Sequence, residues 1–444
     1  MKAVVRKYGQ ELWRMALSLA VFLVAVFTGG DTERIAPFAV VLILLISAGL
    51  LVFKSIQYLN LPFLLLTLLL IFCYDSFSVF VGYIWLLPIV LLSLVVYLWR
   101  VRPRFVRGMT FWPLVAVSAA TFLGGVGMIS AADYFRPVSL GFMVGLGPAL
   151  IFSYWIMRHE LEGALARSHF LRDLCYWGGT AAAIVFWYVL PLIIDHGALF
   201  GFKVPQWSNN VSTMLMIALP ASLAWKNRRV WHYFLLALMF AATMLVGSRG
   251  GQLFVGVEVV LCCLWAWRTE TDYVKRLWNR TFFVYSLMIS GYILSLIIYN
   301  GLAAHMITQT ESRALLLRRS VEDFFKNPLF GSGIGYRGNA DLYNGKTGTI
   351  HWYHMLLPQI VGGLGLCGIA AWGYQLYNRV KLSVRALKTT DFGFALSYVG
   401  LFLMSQVNPG EFCPVPYAFL AVCAFAALEG SVGETNKKVL QATA

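Results

Sequence analysis

The chain has 444 residues, 59% of them hydrophobic and 12% charged, and its 35 Lys and Arg against 20 Asp and Glu give a formal net charge of +15. A soluble globular protein carries about 45–50% apolar and about 25% charged residues, so that class is excluded and the lipid bilayer is the obvious solvent. Seven cysteines, an odd number, make no disulfide framework; Cys73, Cys262, Cys263, Cys367 and Cys423 lie in apolar runs and read as small core or lipid-facing residues.

A transmembrane helix needs about 20 mostly apolar residues. In chain order such runs occur at 13–29, 37–53, 60–73, 78–98, 111–130, 137–157, 175–194, 211–225, 232–248, 253–267, 281–300, 354–378, 392–408 and 414–430. The runs 60–73 and 211–225 are short for a crossing, so an all-α integral membrane protein, a polytopic bundle of 12–14 transmembrane helices, is expected. The first run has basic flanks but no small-residue cleavage site, which points to a retained helix and not a signal peptide. Cytoplasmic loops are enriched in Lys and Arg. With the N-terminus inside, alternate segments carry 25 basic residues on the inner side, Arg379 among them, and 10 on the outer side. The acids divide ten and ten, with Glu258 counted inside and Glu411 outside. Both termini are therefore expected to be cytoplasmic. The net charge is topological and gives no reason to invoke nucleic acid.

One outer connection, 301–353, is far longer than the rest. Loops of that length are uncommon and usually functional or separately folded. Within it Ala314, Leu317, Val321, Phe324 and Phe325 fall near helical spacing, Arg313, Arg318, Arg319 and Glu322 lie among them, and Asn327-Pro328 ends the pattern. An amphipathic helix lying on the outer membrane interface or capping a cavity is expected. No repeat or soluble domain interrupts residues 1–444, which read as a single polytopic membrane domain.

Few outer residues can carry chemistry. Arg249 sits in the tight turn Gly247-Ser248-Arg249-Gly250-Gly251, just before Gln252. A guanidinium at a membrane boundary marks a functional candidate, and glycines allow close approach of a ligand; an arginine snorkelling to headgroups is the competing reading. Arg313, Arg318 and Arg319 suit phosphate through their bidentate forks, or else form a solvated face with Glu311, Glu322 and Asp323. His351 and His354 close the loop, and a histidine can serve as general base near neutral pH. Their alternatives are aromatic-belt residues beside Trp352 and Tyr353, or a metal site, for which no third ligand at zinc-like spacing appears. Gly333-Ile-Gly335-Tyr-Arg-Gly338 matches a dinucleotide pattern but follows no strand and opens no helix, so the match reads as accidental. Glu258, an acid within an apolar run, suits either a proton relay or a structural hydrogen bond.

Three of these pieces occur in a telling order. Ser248-Arg249-Gly250 opens a span; then come Arg313 and Asn327-Pro328-Leu-Phe-Gly331-Ser-Gly333-Ile-Gly335; then His354-Met-Leu-Leu-Pro-Gln359 with Gly365 and Gly368. The order resembles that of the O-antigen ligase and O-antigen polymerase superfamily of membrane glycosyltransferases, over about residues 245–370. Met355 stands where the family usually has Asn, and Pro358 where it has Leu. The resemblance implies a GT-C-like fold and a catalytic region at 245–370 that includes the extracytoplasmic loop. It implies an enzyme of the bacterial cytoplasmic (inner) membrane acting on an undecaprenyl-pyrophosphate-linked glycan, with a lipid or glycan acceptor and no metal or other cofactor. Arg249 and Arg313 would bind the donor's pyrophosphate and His354 would be the catalytic base, with Arg319, His351, Gln252 and Gln359 as supporting candidates. A ligase passes the glycan to a hydroxyl of a lipid or surface acceptor, whereas a polymerase joins lipid-linked repeat units. A flippase or transporter is the reading from a different class, though its usual pair of related halves is missing from the sequence.

Overall fold

The computed structural model describes residues 2–72, 82–128, 141–196, 208–301, 306–334, 353–408, 410–412 and 415–443. Among the described residues every regular element is helical. The first eight helices are α1 (Lys2–Thr28), α2 (Thr32–Val52), α3 (Asn60–Phe72), α4 (Leu86–Val101), α5 (Phe111–Leu123), α6 (Gly147–Glu160), α7 (Ala164–His196) and α8 (Ser208–Ala218). They are followed by α9 (Val230–Leu245), α10 (Arg249–Thr269), α11 (Tyr273–Gly301), α12 (Met306–Lys326), α13 (Leu356–Ala386), α14 (Phe392–Ser405) and α15 (Val415–Thr443). Each apolar run of the sequence overlaps one of these helices, and the remaining one, α12, is the helix expected in the outer loop.

Six helical stretches among the described residues are long and apolar enough to cross a membrane: Gly9–Thr28, Thr32–Val52, Ala164–Pro191, Arg249–Thr269, Leu356–Ala386 and Pro416–Thr435. The chain is therefore a multi-pass helical membrane protein. Other apolar helices are shorter. The 13 residues of α3 extend about 20 Å at the helical rise, less than the bilayer core of about 30 Å.

By internal contacts the chain forms two compact units, Met1–Arg104 with Glu160–Phe283, and Phe105–His159 with Val284–Ala444. In the first, α7 is central, with α1, α3, α8 and α9 packed on it. Its buried charges are paired: Arg14 Nε donates to Asp173 Oδ1 at 2.7 Å, and Glu11 receives both Arg14 (3.1 Å) and Arg172 (2.7 Å). Glu258 on α10 is different. It is fully buried, and among the described residues neither carboxylate oxygen has a hydrogen-bond partner, so the structural hydrogen bond considered from the sequence is not made there.

In the second unit α13 is central, with α5, α12 and α15 packed on it and α14 lying on α15. Arg379 in the second half of α13 donates to Glu411 Oε2 at 2.9 Å and to the Tyr398 hydroxyl at 2.6 Å, and that hydroxyl donates to Glu411 Oε1 at 2.7 Å. All three residues are buried. The loop count puts these two charges on opposite sides, Arg379 inside and Glu411 outside, and does not foresee that they pair. A charge assigned to a loop can turn back into the protein to meet a buried partner. Glu411 then meets Arg379 within the protein. Breaking a buried pair by removing one partner costs about 3–5 kcal/mol. Glu411→Ala is expected to lower stability by about that much in equilibrium unfolding in detergent. Adding Arg379→Met to it should recover most of the loss.

Candidate functional site

Helix α12 stops at Lys326 because Pro328 lacks an N–H and disfavours helical geometry at Asn327. Its inward stripe is Arg313, Leu316, Ser320, Asp323 and Asn327, spaced alternately three and four residues apart, which places them on one face. Leu316, Ser320 and Asp323 are buried, while Arg313 is half-buried. The apolar stripe points away from this packed face. Ala314, Leu317, Val321 and Phe325 are exposed, Phe325 to 73%, and Phe324 is half-buried. The partner surface explains why the polar stripe packs. The start of α13 offers the Pro358 carbonyl, which accepts the Ser320 hydroxyl at 2.8 Å, and Gly362, where a Cβ would lie 2.8 Å from Ser320 Cα. Close helix approach in membrane proteins uses small and polar residues, and lipid accommodates the apolar face.

The segment after α12 plugs a break in α13. At Gly365 (φ 61°, ψ −152°) the helix loses its regular geometry. The Gly362 and Gly363 carbonyls accept the N–H groups of Ser332 and Gly333, each at 2.8 Å, and the N–H groups of Leu366 and Cys367 donate to the Pro328 and Leu329 carbonyls at 2.8 and 3.1 Å. Asn327 Nδ2 adds bonds to the Val126 carbonyl (2.6 Å) and the Gly331 carbonyl (3.0 Å). Four backbone groups of α13 around the break thus find partners in the plugging segment, as burial requires. Gly331 and Gly333, both with positive φ, thus form a backbone plug, which supports setting aside the dinucleotide pattern. Gly335 and Gly338 lie outside the described residues, as does His351.

At the mouth of α13, His354 is half-buried and has a left-handed φ of 53°. It lies near enough to Arg313 for the two to interact. Burial first, and the Arg313 charge second, push its pKa below the ordinary value of 6.5. The ring is therefore largely neutral at pH 7, the form that can accept a proton. Gln359 is buried, and its Oε1 accepts the Tyr353 N–H at 3.1 Å, so it fixes backbone instead of facing a ligand. Arg318 is exposed and pairs with Glu322 at 2.8 Å, whereas Arg319 is half-buried.

The Ser248-Arg249-Gly250 motif belongs to the first unit. Ser248 caps α10: its hydroxyl accepts the Gly251 N–H at 3.1 Å and donates to Asn209 Oδ1 at 2.6 Å. Arg249 then stands exposed in the first turn of α10. Gln252 bridges the turn through Nε2 to the Met244 carbonyl at 2.9 Å. So Arg313 and His354 come together in one unit, and Arg249 stands in the other.

Sequence reasoning missed Asp323 and Tyr353. The Tyr353 hydroxyl donates to Asp323 Oδ2, and both residues are buried. Two signals were available: the three-and-four spacing of Arg313, Leu316, Ser320 and Asp323, and the rarity of an unpaired aspartate on such a face. Compared with family models and with curated protein sequences, the chain matches none.

Proposed function

We propose that the protein is a GT-C-like glycosyltransferase of the O-antigen ligase type. It has 12–14 spans in a bacterial inner membrane, cytoplasmic termini and an extracytoplasmic active site. It moves a glycan from undecaprenyl pyrophosphate to a hydroxyl of a lipid or surface acceptor. The observation that supports this reading is the placement of Arg313 and His354 in one compact unit, where the Arg313 charge acts on the His354 imidazole and helps to depress its pKa. His354 takes the proton of the acceptor hydroxyl as that oxygen attacks the anomeric carbon. The bond from that carbon to the pyrophosphate oxygen breaks, with inversion. Arg313 balances the charge of the departing diphosphate; Arg249 is given the same task by resemblance alone. The exposed stripe of α12 lies in the outer leaflet, close to where a lipid-linked donor resides.

The test is transfer in proteoliposomes from an undecaprenyl-pyrophosphate glycan to a second lipid acceptor. The wild type is expected to transfer without an added metal ion. Arg313→Ala and Arg249→Ala should each lose about 10²–10³ in rate, the usual effect of removing one charge-stabilising group. Product length separates the related activities: one transfer onto the acceptor for a ligase, a ladder of repeats for a polymerase. No transfer to any acceptor, and no ladder, would reject the proposal.

A further inference from the structure

His354 is held in a conformation that a residue with a Cβ adopts at a cost of about 1–2 kcal/mol, so something around it must enforce that geometry. Its neighbours show what does. On one side, Tyr353 is buried to 2% exposure and is held at both ends. Its N–H donates to Gln359 Oε1 at 3.1 Å, and its hydroxyl donates to Asp323 Oδ2 and lies 3.5 Å from the Ser332 hydroxyl. On the other side, Met355 is the N-cap of α13, and its carbonyl accepts the Gln359 N–H at 3.1 Å. Asp323 stands on the same stripe of α12 as Arg313, ten residues further on, and its other oxygen receives Lys326 Nζ at 2.9 Å. The phenol–carboxylate bond therefore ties the helix bearing the arginine to the backbone bearing the histidine.

We infer that Tyr353 and Asp323 form a clamp that positions His354 against Arg313. Both are positioning residues, since neither carries the reacting proton. The inference rests on the proposed transferase reading for its catalytic consequence, though the geometry of the clamp does not. A buried hydrogen bond to a carboxylate is stronger than a neutral one, so this bond is a strong tie between the Tyr353 ring and α12. Removing the hydroxyl leaves the ring to fill its space and leaves Asp323 with Lys326, so the fold should survive. The histidine would lose its fixed register, and misplacement by about 1 Å is enough to cost about 10²-fold in rate.

The experiment uses the full-length protein in lipid nanodiscs with Tyr353→Phe, and with Asp323→Ala to test the same bond from its other end. Two readouts are followed: kcat and KM for the lipid-linked donor, and the titration of the His354 imidazole by NMR. The expected result is a fall in kcat of about 10- to 100-fold with little change in KM, together with a His354 titration displaced toward 6.5 as the ring leaves Arg313. A lost clamp shows in the titration even if the wild type transfers nothing, an outcome that would reject the transferase reading alone. Wild-type titration in both variants would overturn the clamp, whatever the rates.

Discussion

Replacing His354 with Ala is expected to lower transfer by about 10²–10⁴-fold, the range typical of losing a general base, with KM for the donor nearly unchanged because Arg313 remains. The pH dependence sharpens the assignment. Only the neutral imidazole accepts a proton, so activity is lost as pH falls through the His354 pKa. Burial and the Arg313 charge both lower that pKa, which puts the acid limb of kcat/KM below 6.5. Arg313→Gln removes the second cause and leaves the first, so its limb should move upward without reaching the value of a free histidine. Profiles from about pH 5 to about pH 8 cover the range in which a histidine changes charge. His351→Ala serves as the comparison. Near-normal transfer by His354→Ala, with His351→Ala inactive, would move the base to the other histidine while leaving the class intact.

The helices were readable from the sequence because lipid imposes a simple demand. Every spanning backbone must satisfy its own hydrogen bonds, and long apolar runs such as 37–53 and 354–378 have no alternative to the helix. The end of α12 was equally plain, since Pro328 forbids continuation. The orientation of α12 was not. Periodicity shows that Ala314, Leu317 and Val321 share a face, but in a membrane protein the apolar face does not have to be the packed one. Only the glycine-lined surface at Gly362 reveals that Ser320 and Asp323 point inward. The pairing of Arg379 with Glu411 was hidden for a related reason. Counting charges by loop assigns each one to a side of the membrane and gives no sign that two of them pair inside the protein. At the site, the motif order singled out His354 and Arg313, which lie in one unit with the arginine charge acting on the imidazole. It gave Gly331, Gly333 and Gln359 no distinct task, because a glycine or an amide that serves a broken helix looks the same in sequence as one that serves a substrate.

The break in α13 leads to the largest expected loss of stability. Gly365 has φ 61° and ψ −152°, a region open essentially to glycine alone. A Cβ built there lies 2.5 Å from the Pro328 carbonyl oxygen and 2.8 Å from the Gly331 nitrogen, both backbone atoms that have no side-chain freedom to yield. Gly365→Ala therefore meets two obstacles at once. The conformation itself costs about 1–3 kcal/mol. Relief of the clash requires the plug to withdraw, which gives up the bonds of Leu366 and Cys367 to Pro328 and Leu329, each worth about 0.5–1.5 kcal/mol net. A loss of about 2–6 kcal/mol in equilibrium unfolding in detergent is expected from the sum of these effects. Gly373→Ala is the control in the same helix. A Cβ at that position meets nothing within 4 Å, and the gain in helix propensity is about 1 kcal/mol, so that variant should be as stable as the wild type or more so. If the plug also supports Tyr353 through Ser332, transfer should fall in Gly365→Ala at temperatures where the protein is still folded. Equal stability of the two alanine variants would mean that the break is not held by the glycine, and that a continuous α13 competes with the plugged one.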